Sequence, residues 1–315
     1  MDALISVIIP TMNRPDSLKR ALEHFAVGKV KPQQIIVVDQ SQDEVTRKRN
    51  SDILHGLSES FKDLRYVYQE LPSLTKARNT GLSYAENEII VFADDDIDVT
   101  VDTLANINGI MQDPTVAMIA GIDRLTRQSK SNLGYLLGTK SFRKRKIGHV
   151  TLSMLGRYPD NVDGRIETQW AQGFFFVVKK SLLEKWHCLW DENLTSYAYA
   201  EDLDFSFSYY KHAKAEGLKC VLDSNVIVDH LASLEYRIPG EKSIYMYLIN
   251  RAYLSHKHNM GLKGSIASCW CNFWRFIEQV VGRKQARTFI KAWYCTIKYH
   301  KEIIKGNLDY DKFMK

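Results

Sequence analysis

The sequence predicts an α/β fold, a parallel sheet carrying helices on each side. Four short β-rich segments, Ile5–Ile9, Ile35–Val38, Leu64–Tyr68 and Ile89–Phe92, recur about 25–30 residues apart, the span of a strand–helix unit. Helical patterns fill the gaps. Leu18, Ala21, Leu22 and Phe25 share one face, with Pro15 suited to an early turn. Leu74, Ala77, Leu82 and Ala85 mark a second pattern, interrupted at Gly81. The strands themselves are almost continuously apolar, which implies burial on both faces. No Gly-x-Gly-x-x-Gly follows the first strand, so the dinucleotide-binding turn is excluded.

With 315 residues, 45% of them hydrophobic, the chain can bury a sizeable core as one large or two modest domains. Its five cysteines, Cys188, Cys220, Cys269, Cys271 and Cys295, form no CxxC pair. Their odd number fits free thiols in a reducing compartment better than a disulfide framework. Met1-Asp2-Ala3-Leu4 leads directly into a strand without the basic and apolar regions of a leader. No window approaches about 18 apolar residues, the length that would span a membrane. The expectation is a cytoplasmic protein, soluble or peripheral on the inner face of a membrane. Net charge is +6, and its distribution is uneven: from Leu231 onward 15 Lys and Arg face 6 Asp and Glu, while the remainder is slightly acidic. A basic region appended to an acidic core points to an anionic partner.

The stretch most informative about chemistry is Glu88-Ile-Ile-Val-Phe-Ala-Asp-Asp-Asp-Ile97. An isolated acidic triplet in a turn reads most simply as a solvated loop. Here it follows a buried strand, and ligands of open α/β sheets bind beyond the carboxyl ends of their strands. Clustered carboxylates there suit a hard cation, Mg²⁺ or Mn²⁺, which in turn holds phosphate oxygens. Two more polar segments fall on the same edge: Pro10-Thr-Met-Asn-Arg-Pro15 after the first strand, Asp39-Gln-Ser-Gln-Asp43 after the second. Asp39 has the chemistry to accept from a base N–H or a ribose hydroxyl. Arg78 has the planar fork to pair with a diphosphate, although a surface ion pair is the simpler reading.

Downstream, Val116–Ile119 and Gly173-Phe-Phe-Phe-Val-Val178 read as strands, the glycine permitting close approach of a ligand. Phe174 to Phe176 read as core rather than a sugar-stacking platform. Residues 124–165 lack periodicity and carry the basic run Lys140–Lys146, a pattern compatible with a binding loop or with disorder. Glu201-Asp-Leu-Asp204 precedes a stripe of Phe205, Tyr209 and Ala213, so these acids start a helix. Capping and dipole complementation explain acids there without any function. The functional alternative is a general base, kept ionised by the helix terminus.

Several of these blocks, taken in order, resemble glycosyltransferase family 2. They are Ser6-Val-Ile-Ile-Pro-Thr-Met-Asn-Arg14, Ile36-Val-Val-Asp39, Ala77-Arg-Asn-x-Gly81 and Val91-Phe-Ala-Asp-Asp-Asp96, continued by Gly173–Lys180, Trp190-Asp-Glu192, Glu201-Asp-Leu-Asp204 and Val226-x-Val-x-His230. The resemblance covers about residues 4–230 and implies a GT-A fold, a Rossmann-like nucleotide-diphospho-sugar transferase sheet, and an inverting sugar transfer. It implies a nucleotide-binding half at about 1–97 and an acceptor half at about 98–230; residues 231–315 lie outside it and read as a basic helical C-terminal extension. It assigns Pro10, Thr11, Asn13, Arg14, Asp39, Arg78, Asp94 and Asp95 to the donor nucleotide, and Asp96, Asp94 and His230 to a Mn²⁺ or Mg²⁺ ion. Asp202 becomes the base, Glu201 a support for the acceptor or the neighbouring loop, and Gly173 and Trp170 the acceptor contacts. One departure is Ser208, where many relatives carry arginine; Lys211 is the nearby candidate to replace it. The implied donor is a UDP- or dTDP-linked sugar, hexosyl or rhamnosyl, and the acceptor a glycan or lipid-linked hydroxyl of bacterial surface-polysaccharide synthesis. A nucleotide-sugar-binding protein without turnover and a nucleotidyltransferase are the alternatives.

In the last segment Ile266, Cys269, Trp270, Phe273, Ile277, Val280 and Val281 share helical spacing opposite Asn272, Arg275 and Glu278, and Phe289, Trp293 and Ile297 follow. Helices packed back on the catalytic part explain such stripes in the ordinary way. A helix lying on an anionic membrane surface is the sharper reading. No recognised motif supports nucleic-acid binding.

Overall fold

The computed structural model describes residues 3–125, 130–195, 199–231 and 239–315. The chain start at Met1-Asp2, residues 126–129 of the aperiodic stretch and the opening residues 232–238 of the basic extension therefore lie outside the described residues.

Strand and helix alternate as the apolar spacing requires. The order is β1 (Ala3–Thr11), α1 (Pro15–Ala26), β2 (Pro32–Asp39), α2 (Glu44–Leu57), β3 (Asp63–Tyr68), α3 (Leu74–Tyr84) and β4 (Ile89–Ala93). After β5 (Ile97–Val99) come α4 (Thr103–Met111), β6 (Val116–Asp123), α5 (Asn132–Leu136), two short strands β7 (His149–Val150) and β8 (Gly156–Arg157), and β9 (Arg165–Glu167). Then follow β10 (Phe175–Lys179), α6 (Lys180–Trp186), α7 (Glu201–Ala215) and β11 (Lys219–His230). Helices α8 (Gly240–Lys257), α9 (Gly261–Val281) and α10 (Ala286–Lys298) lead to the short α11 (His300–Ile303) and α12 (Tyr310–Phe313).

The main sheet runs β3-β2-β1-β4-β10-β6-β11-β5, with β9 beside β11. Its first four strands are parallel, as expected. Successive side chains of a strand point to opposite faces, and here both faces are covered. Ile8, Ile36, Val38, Ile90 and Phe92 enter one hydrophobic cluster, and Val7, Ile9, Ile35, Val37 and Val91 the other. This double burial is why the strands are apolar throughout.

The departure from an all-parallel sheet is β10, which inserts antiparallel between β4 and β6. Phe175 stands opposite Ala93, so the residues just before β10 arrive at the edge where β4 ends. Antiparallel pairing thus delivers Gly173 to the acidic triplet. Strand β11 ends there too: His230 faces Ile97, and the Leu231 N–H donates to the Asp96 carbonyl at 3.0 Å.

The C-terminal helices share the core of the sheet. Tyr245, Met246, Leu248, Ile249 and Leu254 of α8, with Phe289, Ala292 and Cys295 of α10, belong to the cluster that holds Phe92 and Phe176. Helix α9 departs from the packing that its stripe suggests. Ile266, Trp270, Phe273, Val280 and Val281 are exposed, and its inward residues are Gly264, Cys271 and Asn272. Polar contacts select that face: Asn272 Oδ1 accepts from Arg251 Nη1 at 2.9 Å, and Cys271 Sγ donates to the Gly138 carbonyl at 3.2 Å. The described residues of the stretch 124–165 form short elements, held to α9 by such bonds; their lack of periodicity reflects how little regular structure they form.

Gly81 does not interrupt its helix. Helix α3 runs through it to Tyr84, and the glycine is there for packing: a Cβ would lie 2.3 Å from Cγ2 of the buried Ile8. Alanine gains about 1 kcal/mol of helix propensity, but forcing a methyl into a packed core costs about 1–3 kcal/mol. Net of the propensity gain, Gly81→Ala is expected to lower unfolding stability by up to about 2 kcal/mol in denaturant titration; a variant more stable than the parent would contradict this packing account.

Candidate active site

A cleft of about 620 Å³ opens at the carboxyl edge of β1, β2 and β4, lined from one side by Pro10 to Arg14 and Asp94 to Asp96, and from the other by Gly173, Glu201, Asp202 and His230. Trp170 also lines it. Residues far apart in sequence therefore converge as the motifs suggest.

The three aspartates divide their work. Asp95 is buried and held by the protein: Thr11 Oγ1 donates to it at 2.7 Å and Arg14 Nη1 at 3.1 Å. Burial, opposed by Arg14, pushes its carboxyl up to about 7. Asp94 points the other way and pairs with Arg78 Nη2 at 2.9 Å; burial raises its pKa against the pull of Arg78. Asp96 meets His230, whose Nε2 lies 3.4 Å from Oδ1. Burial works against the charged imidazole, but the hydrogen bond to Asp96 and the nearby aspartates outweigh it, so the His230 pKa is raised. Phe174 stacks on the imidazole, ring centroids 5.1 Å apart, and fixes its plane. One ligand atom each from Asp94, Asp96 and His230 lie within 4.8 Å of one another. Two carboxylate oxygens and an imidazole nitrogen so placed fit a divalent cation such as Mn²⁺ or Mg²⁺.

Asp202 opens α7, as the sequence pattern indicates, with the stripe Phe205, Tyr209 and Ala213 buried beneath it. Its Oδ2 accepts from the Gly173 N–H at 2.8 Å and its Oδ1 from the Leu203 N–H at 2.7 Å. A side chain on residue 173 would crowd this bond, because its Cβ would lie 3.1 Å from the Asp202 Cβ. Helix-end ionisation is not the whole account of Asp202: dehydration outweighs the two N–H bonds and raises its pKa. Glu201 is buried, and burial followed by the charge of Asp202 pushes it up to about 8. Both carboxyls are thus raised by burial, and of the two it is Asp202 that is anchored on the Gly173 and Leu203 N–H groups.

Of two expected donor contacts, Asp39 stands behind the cleft and Arg78 lines it but is engaged by the protein. Asp39 is fully buried behind the cleft wall, accepting from the Ser41 N–H, Asn50 Nδ2 and Tyr66 Oη at 2.7–2.9 Å, while Gln40 and Gln42 reach the cleft itself. Arg78 is 1% exposed and is no surface ion pair. Its Nη1 donates to Glu201 at 3.1 Å and its Nη2 to Asp94 and to the Gly173 carbonyl at 2.9 and 3.0 Å. The guanidinium lies 4.4 Å from the Trp190 ring centroid. Lys211, the candidate for the missing arginine, bonds instead to His258, which reaches Asp204. It ties α7 to the end of α8. Sequence reasoning missed Gln172, Tyr199 and Arg157 on the cleft wall; only Arg157, in the aperiodic basic stretch, left a faint signal.

The family model described as "Glycosyl transferase family 2" matches residues 6–186. The chain belongs to glycosyl transferase family 2. Within the family, it is 26% identical over 190 residues to the GalNAc(5)-diNAcBac-PP-undecaprenol beta-1,3-glucosyltransferase of Campylobacter jejuni, covering 57% of this chain and 53% of that protein. It is 29% identical over 96 residues to glycosyltransferase GlyA of Streptococcus pneumoniae, covering 30% of this chain and 13% of that one. The chain therefore spans about half of the first relative and far less of the second. Among solved structures, S. aureus TarS 1-349 with UDP-GlcNAc aligns at TM-score 0.57 and 17% identity over 96% of this chain and 82% of that one. GalNAc-T7 with UDP, GalNAc and Mn²⁺ aligns at 0.58 and 16%, over 95% and 58%. Mannosyltransferase PcManGT of Pyrobaculum calidifontis, with GDP-Man and Mn²⁺, aligns at 0.53 and 16%, over 100% and 86%. These likenesses establish the GT-A fold with its added C-terminal helices.

The arrangement of Arg78 yields a test. Removing one partner of a buried ion pair leaves the others uncompensated and costs about 3–5 kcal/mol. Arg78→Ala is expected to lose stability on that scale in denaturant unfolding without any ligand present. A loss below about 0.5 kcal/mol, the range of an ordinary surface change, would show that Arg78 serves a ligand rather than the fold.

Proposed function

We propose that this protein transfers a sugar from a nucleoside-diphosphate donor to a hydroxyl of a glycan or lipid-linked acceptor, with inversion at the anomeric carbon. The observation that carries the reading is the placement of Asp202 across one cleft from Asp94, Asp96 and His230. The acceptor oxygen attacks the anomeric carbon as the bond to the diphosphate breaks, and the acceptor proton passes to Asp202. A single displacement of this kind inverts the centre. A divalent cation, when held by Asp94, Asp96 and His230, supplies the charge that neutralises the departing diphosphate. Gly173 and Leu203 hold the Asp202 carboxylate through their N–H groups, and Trp170 and Gly173 border the acceptor side. Arg14 orders the acidic loop through Asp95, and Asn13 with Pro10 and Thr11 forms the opposite lip.

A UDP- or dTDP-linked hexose or rhamnose is the donor class we assign. Surface-polysaccharide synthesis is the setting, in keeping with a relative named for a PP-undecaprenol substrate. Attachment to an anionic membrane surface belongs to the same proposal. The apolar face of α9 is exposed at Ile266, Trp270, Phe273, Val280 and Val281, and every charged residue from Val281 to His300 is basic: Arg283, Lys284, Arg287, Lys291 and Lys298. Apolar side chains flanked by cations suit a helix lying in a lipid interface. No helix of the described residues is long and apolar enough to cross a membrane.

Three measurements test this. Asp96→Ala is expected to abolish transfer and to remove the dependence of donor binding on Mn²⁺; full activity in the variant would refute the metal assignment. Asp202→Asn keeps the shape and removes proton acceptance, so turnover should fall about 10²–10⁴-fold with donor affinity little changed. An equal loss of donor affinity would place Asp202 in the donor site instead. With phosphatidylglycerol vesicles, the wild type should sediment at low salt and be released at high salt, and Phe273→Ser/Val280→Ser should stay in solution. Wild type that fails to sediment at low salt would make the α9 face something other than a membrane contact.

A further inference from the structure

At the acceptor end of the cleft the wall changes sign. Arg157, on β8, lines the cavity beside Gly156, Leu155 and Tyr199. Among the described residues its guanidinium bonds to carbonyls: Nη1 donates to Gly156 O at 3.4 Å and Nη2 to Gly138 O at 3.3 Å. Arg275, from α9, donates to the adjacent carbonyl, Thr139 O, at 2.7 Å, so two guanidinium groups are hung on neighbouring residues of one loop. A third, Arg251 of α8, stands behind them. It is 2% exposed, donates to Ser153 O and Asn272 Oδ1, and lies 4.6 Å from the Tyr247 ring centroid.

Charge at this corner is not balanced. Among the described residues no carboxylate pairs with Arg157 or Arg251; Arg275 alone has one, Glu278 at 3.0 Å on the outer rim. Among the described residues three buried polar atoms here have no hydrogen-bond partner: Arg251 Nη2, Arg275 Nε and Tyr247 Oη. Buried donors are almost always satisfied, so orphans gathered in one place call for an explanation. Burial and the proximity of Arg275 both lower the Arg157 pKa, which is the signature of a cation missing its counter-charge. The catalytic side is close, since Tyr199 feels the charges of Arg251, Arg275 and Asp202 together and meets the Tyr247 ring edge-on with centroids 5.3 Å apart.

We infer that Arg157, backed by Arg275 and Arg251, forms a binding site for a phosphoryl group carried by the acceptor. Of the three, Arg157 alone lines the cleft; arginine forks match phosphate oxygens in paired hydrogen bonds, and an anion bound at Arg157 would supply the missing charge. A phosphoryl group fixed here would leave the sugar hydroxyl of the same molecule facing Asp202. The inference rests on the reading of the cleft as a sugar-transfer site and narrows its acceptor to a phosphorylated one. Such an acceptor is either a lipid-linked sugar phosphate or a soluble phosphorylated glycan.

The test titrates inorganic phosphate by calorimetry into protein already saturated with UDP and Mn²⁺, so that the donor side is filled. Phosphate should still bind to the wild type and raise its melting temperature. Arg157→Gln should weaken phosphate binding about tenfold or more, and Arg157→Lys should recover part of it, because lysine restores the charge without the fork. The melting temperature of unliganded Arg157→Gln should equal or exceed that of the wild type, since the change relieves repulsion by Arg275; an arginine needed only for structure would give the opposite. Decyl phosphate binding more tightly than inorganic phosphate identifies a lipid-linked acceptor, and equal binding a soluble one. The inference is overturned if phosphate does not bind beside UDP, if Arg157→Gln binds it as the wild type does, or if the variant loses UDP as severely as phosphate. UDP binding is read separately in every arm: its failure in the wild type counts against the transfer reading, and phosphate behaviour counts for or against this site.

Discussion

The structure depends on one buried cation. Arg78 enters from α3 and holds Asp94 at the end of β4, the Gly173 carbonyl before β10 and Glu201 at the start of α7. These partners lie 16, 95 and 123 residues away in sequence. A guanidinium in a low-dielectric interior is tolerable only when paired and hydrogen-bonded, and that requirement forces the three segments together. The face of Trp190 covers the remaining side and is itself stacked on Phe205 of α7, centroids 4.3 Å apart. The end of β4 and the start of α7 are thus set relative to each other by the demands of a single side chain. Asp202 inherits its position from this strut, because it is the neighbour of Glu201 and its carboxylate is anchored on Gly173.

Electrostatics then differ between the two ends of the cleft. At the end where β4 meets α7 carboxylates outnumber cations, and burial raises the pKa of Asp94, Asp95, Glu201 and Asp202 alike. Their mutual repulsion is the energetic case for a cation among them. At the far end arginines outnumber carboxylates. A cleft acidic where a metal is called for and basic where an anion is called for carries complementary demands, which two differently charged ligands would satisfy together.

Much of this was legible in the sequence, for definite reasons. Strands β1, β2 and β4 are buried on both faces, so their apolar runs are unbroken and their carboxyl ends identifiable; Asp94 to Asp96 follow directly. The stripe of Phe205, Tyr209 and Ala213 likewise revealed that Glu201 and Asp202 begin a helix. The proximity of His230 to Asp96 came only through family resemblance, since no local pattern links residues so far apart. The burial of Arg78 was illegible because its partners lie on three separate elements. For α9, periodicity showed which residues share a face but not which face turns inward; the bonds from Arg251 to Asn272 and from Cys271 to Gly138 decide that. Arg157 sits in a stretch whose short strands obey no period, and its neighbours Arg251 and Arg275 come from helices about a hundred residues onward.

The central claim is that this cleft binds a nucleoside-diphosphate sugar through a metal held by Asp94, Asp96 and His230. The most direct measurement is equilibrium binding of a panel of such sugars to the wild-type protein, with Mn²⁺ present and with Mn²⁺ removed by a chelator. The account predicts that at least one donor binds with the metal and is released when it is removed. Donor binding that is unchanged by the chelator, or no binding by any member of the panel with Mn²⁺ present, would contradict it.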